Sequence, residues 1–105
     1  MIALLVGGSC APRVAPMERA ALERRPIELV YLGVAGWQIR GDGKTVLVDP
    51  YLSRPADPDA PLVPDVAAIA AHTPARAELV VVGHSHYDHL LDAPEVAKRT
   101  GASSK

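Results

Sequence analysis

Residues 78–89 read Glu78-Leu79-Val80-Val81-Val82-Gly83-His84-Ser85-His86-Tyr87-Asp88-His89, and the fold turns on how this stretch is read. Its first half is a continuous run of branched apolar side chains, which suits a strand buried on both faces of a sheet. Its second half is an abrupt polar cluster. An interior strand whose carboxyl end delivers polar residues into a loop is where α/β proteins place their chemistry. Three of the four histidines of the chain fall in this cluster, together with an aspartate. Only His72 lies elsewhere, so a solvated loop that is histidine-rich by chance is the weaker reading. Neutral imidazole and carboxylate are ligands that borderline divalent ions such as Zn²⁺ accept. In extended backbone, residues two apart project to the same side, so His84 and His86 are placed to grip one ion. The chain then turns, and Asp88 with His89 face a second position. Two ions about 3.5–4 Å apart share a bridging hydroxide, a strong nucleophile at neutral pH. A loop that binds metal without catalysis is the competing reading.

Working upstream, Glu78 is preceded by a short helix predicted over Pro64–Ala71, since Pro and Asp both suit a first turn; His72-Thr73-Pro74 ends it. Residues 51–64 carry several prolines and little periodicity. They are predicted to form a loop, and its length suggests that it borders something functional. Three strands are predicted before it: Ile27–Leu32, Trp37–Arg40 and Thr45–Val48. Asp42-Gly43 is a strong hairpin signal between the last two, and Asp49-Pro50 closes the third. Gly33 and Gly36 read as a bend or a close backbone approach. Trp37 reads as core on an alternating strand. Downstream, a second helix is expected near Ala93–Thr100, with Asp92 as N-cap, Glu95 in the capping-box position and Gly101 as the stop. No element is expected in Ala102–Lys105.

The stretch His84-Ser85-His86-Tyr87-Asp88-His89 resembles the His-x-His-x-Asp-His signature of the metallo-β-lactamase superfamily. The preceding hydrophobic strand is similar too, as are Leu90 and Asp92 after the cluster. The hairpin leading to Asp49-Pro50-Tyr51-Leu52 resembles the family's first motif, in the branch acting on lactones and phosphodiesters. The likeness runs over about Ile27 to Gly101. It implies an α/β (α+β) fold, the N-terminal half of an αββα sandwich. It also implies a dizinc hydrolase that activates water against an ester, lactone, phosphodiester or amide of a small-molecule substrate. By the same resemblance, His84 and His86 ligate the first metal, and Asp88 and His89 the second. Asp88 also orients the attacking water, and Asp49 holds the metal loop by hydrogen bonds. Ser85 and Tyr87 are spacers. The family's further ligands come from downstream strands, whereas after His89 this chain has no histidine and only Asp92 as aspartate. The expectation is therefore a chain truncated after its metal loop, with one sheet face uncovered and no catalysis on its own. A non-catalytic metal-binding fragment or a lipid-anchored metal-buffering protein is the alternative.

Bulk properties bound the rest. The 105 residues allow one domain at most. With no Phe and few other aromatics, the core is expected to be thin. A net charge of −1 and dispersed arginines give no footprint for nucleic acid. The lone Cys10 excludes an intrachain disulfide. Residues 1–26 are set apart as a signal-like or tether segment, leaving 27–105 as a partial domain. Met1-Ile2-Ala3-Leu4-Leu5-Val6-Gly7-Gly8-Ser9-Cys10 resembles the tail of a bacterial lipoprotein signal. That likeness implies lipid on Cys10 and a periplasmic or membrane-anchored location; a plain cytoplasmic N-terminus is the alternative. His72 sits at a helix end, where a cation suits the helix dipole.

Overall fold

The computed structural model describes residues 25–105. The signal-like segment and Cys10 lie outside them. Three antiparallel strands open the domain: β1 (Glu28–Gly33), β2 (Gly36–Gly41) and β3 (Lys44–Val48). The β2–β3 turn carries Asp42 and Gly43 at φ 54° and 73°, the pair of positive values that a two-residue hairpin with native twist requires. Helix α1 (Val66–His72) crosses to β4 (Leu79–Val81), which lies parallel to β3. A short helix α2 (Tyr87–Leu90) and a longer one, α3 (Ala93–Thr100), lead to β5 (Ser103–Ser104), parallel to β4. The five strands run in sequential order. Among the described residues, no helix is long and apolar enough to cross a membrane.

The two crossovers place α1 and α3 on the same side of the sheet. Val30, Gln38, Leu47 and Val80 form one row across β1 to β4, and Leu47 and Val80 on this row pack with Ile69 of α1 and Val96 of α3. The core is as thin as the composition implies: among the described residues, the buried apolar cluster is these four with Ala77 and Ala93. Rows of the opposite parity run Leu29, Ile39, Val46 and Tyr31, Trp37, Val48. They point away from the helices, and Leu29, Tyr31 and Trp37 are exposed. This corrects the placement of Trp37 in the core. The alternation in β2 is real, but its polar member Gln38 is the buried one and Trp37 is 40% exposed. Trp37 rests on Tyr31 instead, ring centroids 5.0 Å apart. β4 is likewise less enclosed than its apolar run suggested. Val80 is fully buried, while Leu79 and Val81 on the open face are half-buried.

Three local readings also change. Helix α1 begins after Asp65, whose carboxylate accepts from the amides of Ala67 and Ala68 at 3.0 Å. Asp65 is thus the N-cap, not part of the first turn. Asp92 stands at the N-cap position of α3 but makes no capping bond. Its buried carboxylate accepts from the amides of Leu52 and Ser53 at 2.6 Å and from Ser53 Oγ at 2.7 Å. Ser53 Oγ in turn accepts from the Asp65 amide at 2.5 Å. This chain of bonds pins the proline-rich loop to both helices. Finally, the tail forms β5 although Ser103 and Ser104 are poor strand formers. The Lys105 amide donates to Val80 O at 3.0 Å, and Lys105 O accepts from the Val82 amide at 3.1 Å, so backbone pairing alone carries it.

Two outcomes follow. Asp92→Ala leaves three loop donors without an acceptor, at about 1–3 kcal/mol for a buried group so orphaned; it should lower stability by roughly 3 kcal/mol or more, read as a fall in the urea midpoint at constant slope. Trp37, the single tryptophan, should emit like indole in water and be readily quenched by acrylamide; a blue-shifted, unquenched emission would place it in a core.

Candidate metal centre

The site is built where β3 and β4 end side by side. Their parallel register continues past Val48, with the Asp49 amide donating to Val81 O at 2.8 Å. Asp49 then turns at φ 43°, a left-handed conformation that costs a non-glycine residue roughly 1 kcal/mol or more. Two bonds hold it there. Asp49 Oδ1 accepts from the Gly83 amide at 2.6 Å, and its own carbonyl accepts from the Tyr51 amide at 2.8 Å. Gly36 permits the β1–β2 turn to close on the same point, since a Cβ there would lie 2.9 Å from Asp49 O. Of the two readings of Gly36, close backbone approach therefore has a specific partner.

Beyond Gly83 the backbone bends rather than staying extended, and α2 begins after His86. His86 O accepts from the amides of His89 and Leu90 at 3.0 and 2.9 Å. The bends gather the rings by a route different from strand alternation. His84 lies edge-on to His86 with centroids 4.6 Å apart, and 3.9 Å from His89. His84, Asp88 and His89 each offer a ligand atom within 4.8 Å of the others. His86 is outside that tight group, beside His84. The sequence pairing set His84 with His86 and Asp88 with His89; the structure brings His84 close to both partners.

Asp49 reaches this group from the neighbouring strand end. Its Oδ2 is 3.0 Å from His89 Nδ1, but out of line for a hydrogen bond, so the buried Nδ1 has no partner. His89 Nε2 lies 3.8 Å from Asp88 Oδ2. A half-buried imidazole between two carboxylates, with an unpartnered ring nitrogen, is a donor set that fits a divalent cation. His84 and His86 are exposed and His89 is half-buried, so the cluster is accessible to an ion and to water. Tyr51, buried at the edge of the site, packs edge-to-face on Tyr87 with centroids 5.9 Å apart. Tyr87 thus has a packing partner beyond its role as a spacer. Asp92 takes the N-cap position that the sequence predicts, but its carboxylate serves the distant loop instead of the helix. Its place three residues after His89 fits a cap equally well, and only the fold of the distant loop brings up the donors its carboxylate accepts from.

Residues 28–100 match the family described as the Beta-lactamase superfamily domain. A UPF0173 metal-dependent hydrolase of Methanopyrus kandleri is 40% identical over 77 residues, 73% of this chain and 29% of the relative. A second, from Aeropyrum pernix, is 40% identical over 75 residues, 70% of this chain and 27% of its own. In three dimensions the chain is similar to Igni18, a metallo hydrolase from Ignicoccus hospitalis, with TM-score 0.55 and 28% identity over 74% of this chain and 30% of that one. The fold and the metal loop define a metallo-β-lactamase-type domain. The chain belongs to the β-lactamase superfamily, and it spans less than a third of the length of these relatives.

Burial, and after it the neighbouring Tyr87 and Asp92, raise the Tyr51 phenol above its ordinary value of 10.0. A raised folded-state value means that the fold favours the protonated phenol. Its contribution to stability is complete below pH 10.0 and is lost as pH rises through the folded value. In an absorbance titration of the metal-free protein, a component ionising later than ordinary tyrosine is expected, and Tyr51→Phe should remove it. Retention of that component in the variant would assign it to another phenol.

Proposed function

We propose that this chain carries the metal loop of a dinuclear hydrolase, in which Zn²⁺ bound by His84, His86, Asp88 and His89 activates water against an ester, lactone, phosphodiester or amide. The observation that carries the reading is the convergence of His84, Asp88 and His89 within 4.8 Å, with Asp49 against the unpartnered Nδ1 of His89. The curated relatives are named metal-dependent hydrolases, which supports the same class of chemistry. When bound, the metal supplies a hydroxide at neutral pH and polarises the group attacked. The residues of this chain set the rest. His84 and His86 present their imidazoles on bent backbone. Asp88 holds a carboxylate beside them, able to orient a water. Asp49 Oδ2 stands 3.0 Å from His89 Nδ1 and Asp88 Oδ2 3.8 Å from Nε2, so the imidazole lies between two carboxylates. Tyr51, at the start of the loop that runs to Pro64, packs on Tyr87 of the metal loop, and Ser53 anchors that loop. Metal buffering without turnover is the second reading, favoured by the exposure of His84 and His86.

Zn²⁺ binding tests the centre directly. The chain should bind Zn²⁺ stoichiometrically in competition with a chromogenic chelator. His84→Ala and His89→Ala should each weaken binding at least tenfold, and Asp49→Asn by about 10–100-fold, as for partners that orient a ligand. The 105-residue chain loaded with metal is expected to hydrolyse an activated phosphodiester or lactone no faster than free Zn²⁺. Turnover above that level would show that these donors suffice by themselves. Binding indifferent to all three substitutions would remove the metal centre.

A further inference from the structure

We propose a second binding site, apart from the metal loop, for a small organic anion carrying a carboxylate or phosphate group. It is an open cavity of about 590 Å³ on the helix side of β1 and β2, beyond the reach of α3's packing. Three basic side chains line it from three separate elements: Arg40 on β2, Arg54 on the loop after β3 and His72 at the end of α1. No carboxylate lines it among the described residues. A concave surface with one sign of charge and low-dielectric walls concentrates counter-ions.

Both guanidinium groups are held in place before any ligand arrives. Gln38 is buried, and with its carboxamide oxygen turned to Arg40 it accepts from Nε at 3.0 Å and Nη2 at 2.9 Å. Arg54 folds back over Gly33, where its Nη2 donates to Leu32 O and, at 3.4 Å, to Tyr51 O. Gly33 makes this possible. Its φ of 94° suits glycine, and a Cβ there would collide with the guanidinium. Arg54 has no carboxylate partner among the described residues, and Arg40 has only Glu28 at a loose 3.5 Å. A guanidinium offers five N–H donors, so most of those on Arg54 are left for an acceptor from outside. Thr73, on the same wall, has a buried hydroxyl with no partner. The remaining wall is apolar, with Val30, Leu32 and Leu52. Paired donors opposite an aliphatic wall suit an oxyanion attached to an apolar body, since fork-shaped guanidinium groups bind carboxylate and phosphate oxygens in pairs.

The site can be tested independently of the metal centre. The ¹⁵N-labelled chain, stripped of metal and dialysed free of chelator, is titrated separately with inorganic phosphate, acetate and benzoate. Saturable shifts are expected at the Gln38 side-chain amide, the Thr73 amide and Arg54 Nε, with benzoate binding more tightly than acetate because of the apolar wall. Phosphate exceeding benzoate assigns a phosphate ester, and the reverse assigns a carboxylate. Arg54→Gln should weaken binding at least tenfold, the loss of one charge-assisted hydrogen bond, without altering Zn²⁺ affinity. Arg40→Gln serves as a second variant should the first perturb the loop. Shifts that rise linearly without saturation, or that persist unchanged in both variants, would overturn the site.

Discussion

The hydrogen bond from the Gly83 amide to Asp49 Oδ1 joins the two strand ends from which the whole site is assembled. Parallel pairing of β3 with β4 brings the ends level, but pairing alone leaves the emerging loops free to diverge. The Asp49 carboxylate prevents this by holding one loop with Oδ1 and standing against the His89 imidazole with Oδ2. Its left-handed φ is the cost of turning a side chain back across the sheet edge. Gly36 and Gly83 line the space that this turn needs, because a side chain at either would meet Asp49 within 3.0 Å. Strain and glycine placement therefore have a single cause.

A second carboxylate does the corresponding work on the helix side. Asp92 is fully buried and faces amides and a hydroxyl rather than a cation. Charge-assisted bonds of this kind are roughly twice as strong as neutral ones, and an isolated buried carboxylate is tolerable only when so satisfied. Asp49 and Asp92 thus clamp the segment 49–53 from opposite ends, with Tyr51 between them against Tyr87. The loop after β3 is irregular in secondary structure, yet its first residues are among the most enclosed in the domain.

How much of this the sequence disclosed depends on the range of the interaction involved. The hairpin at Asp42-Gly43, the three early strands, the helix ending at Gly101 and the clustering of His84 to His89 all rest on local chemistry, and the structure has each. What sequence obscured was long-range. The apolar alternation in β2 was visible, but which face the helices would cover depended on the crossovers through α1 and α3, so Trp37 was assigned to the wrong side. Asp92 satisfied every local rule for a cap, while the donors to its carboxylate lay about forty residues away in sequence. β5 has no side-chain signal because backbone amides alone make it. The short helix α2 was hidden inside a motif read for its donors, and it alters how those donors converge.

The uncovered face bears on how the centre is held. Burial contributes about 25 cal/mol per Å² of apolar surface, and here Leu29, Tyr31 and Trp37 forgo much of that. Among the described residues, the helix side of the sheet is packed by four buried apolar side chains and two alanines, with Leu32, Leu52, Val82, Ala97 and Ala102 against them. Rigidity at the metal loop therefore cannot come from the bulk of the core. It comes from polar ties: Asp49 to Gly83, Asp92 to Ser53, Ser53 to Asp65. Hydrogen bonds are directional where hydrophobic contact is not, so a domain with a thin core can still hold imidazoles and carboxylates within ångströms of one another. The precision of this site rests on two buried carboxylates more than on the packing beneath them.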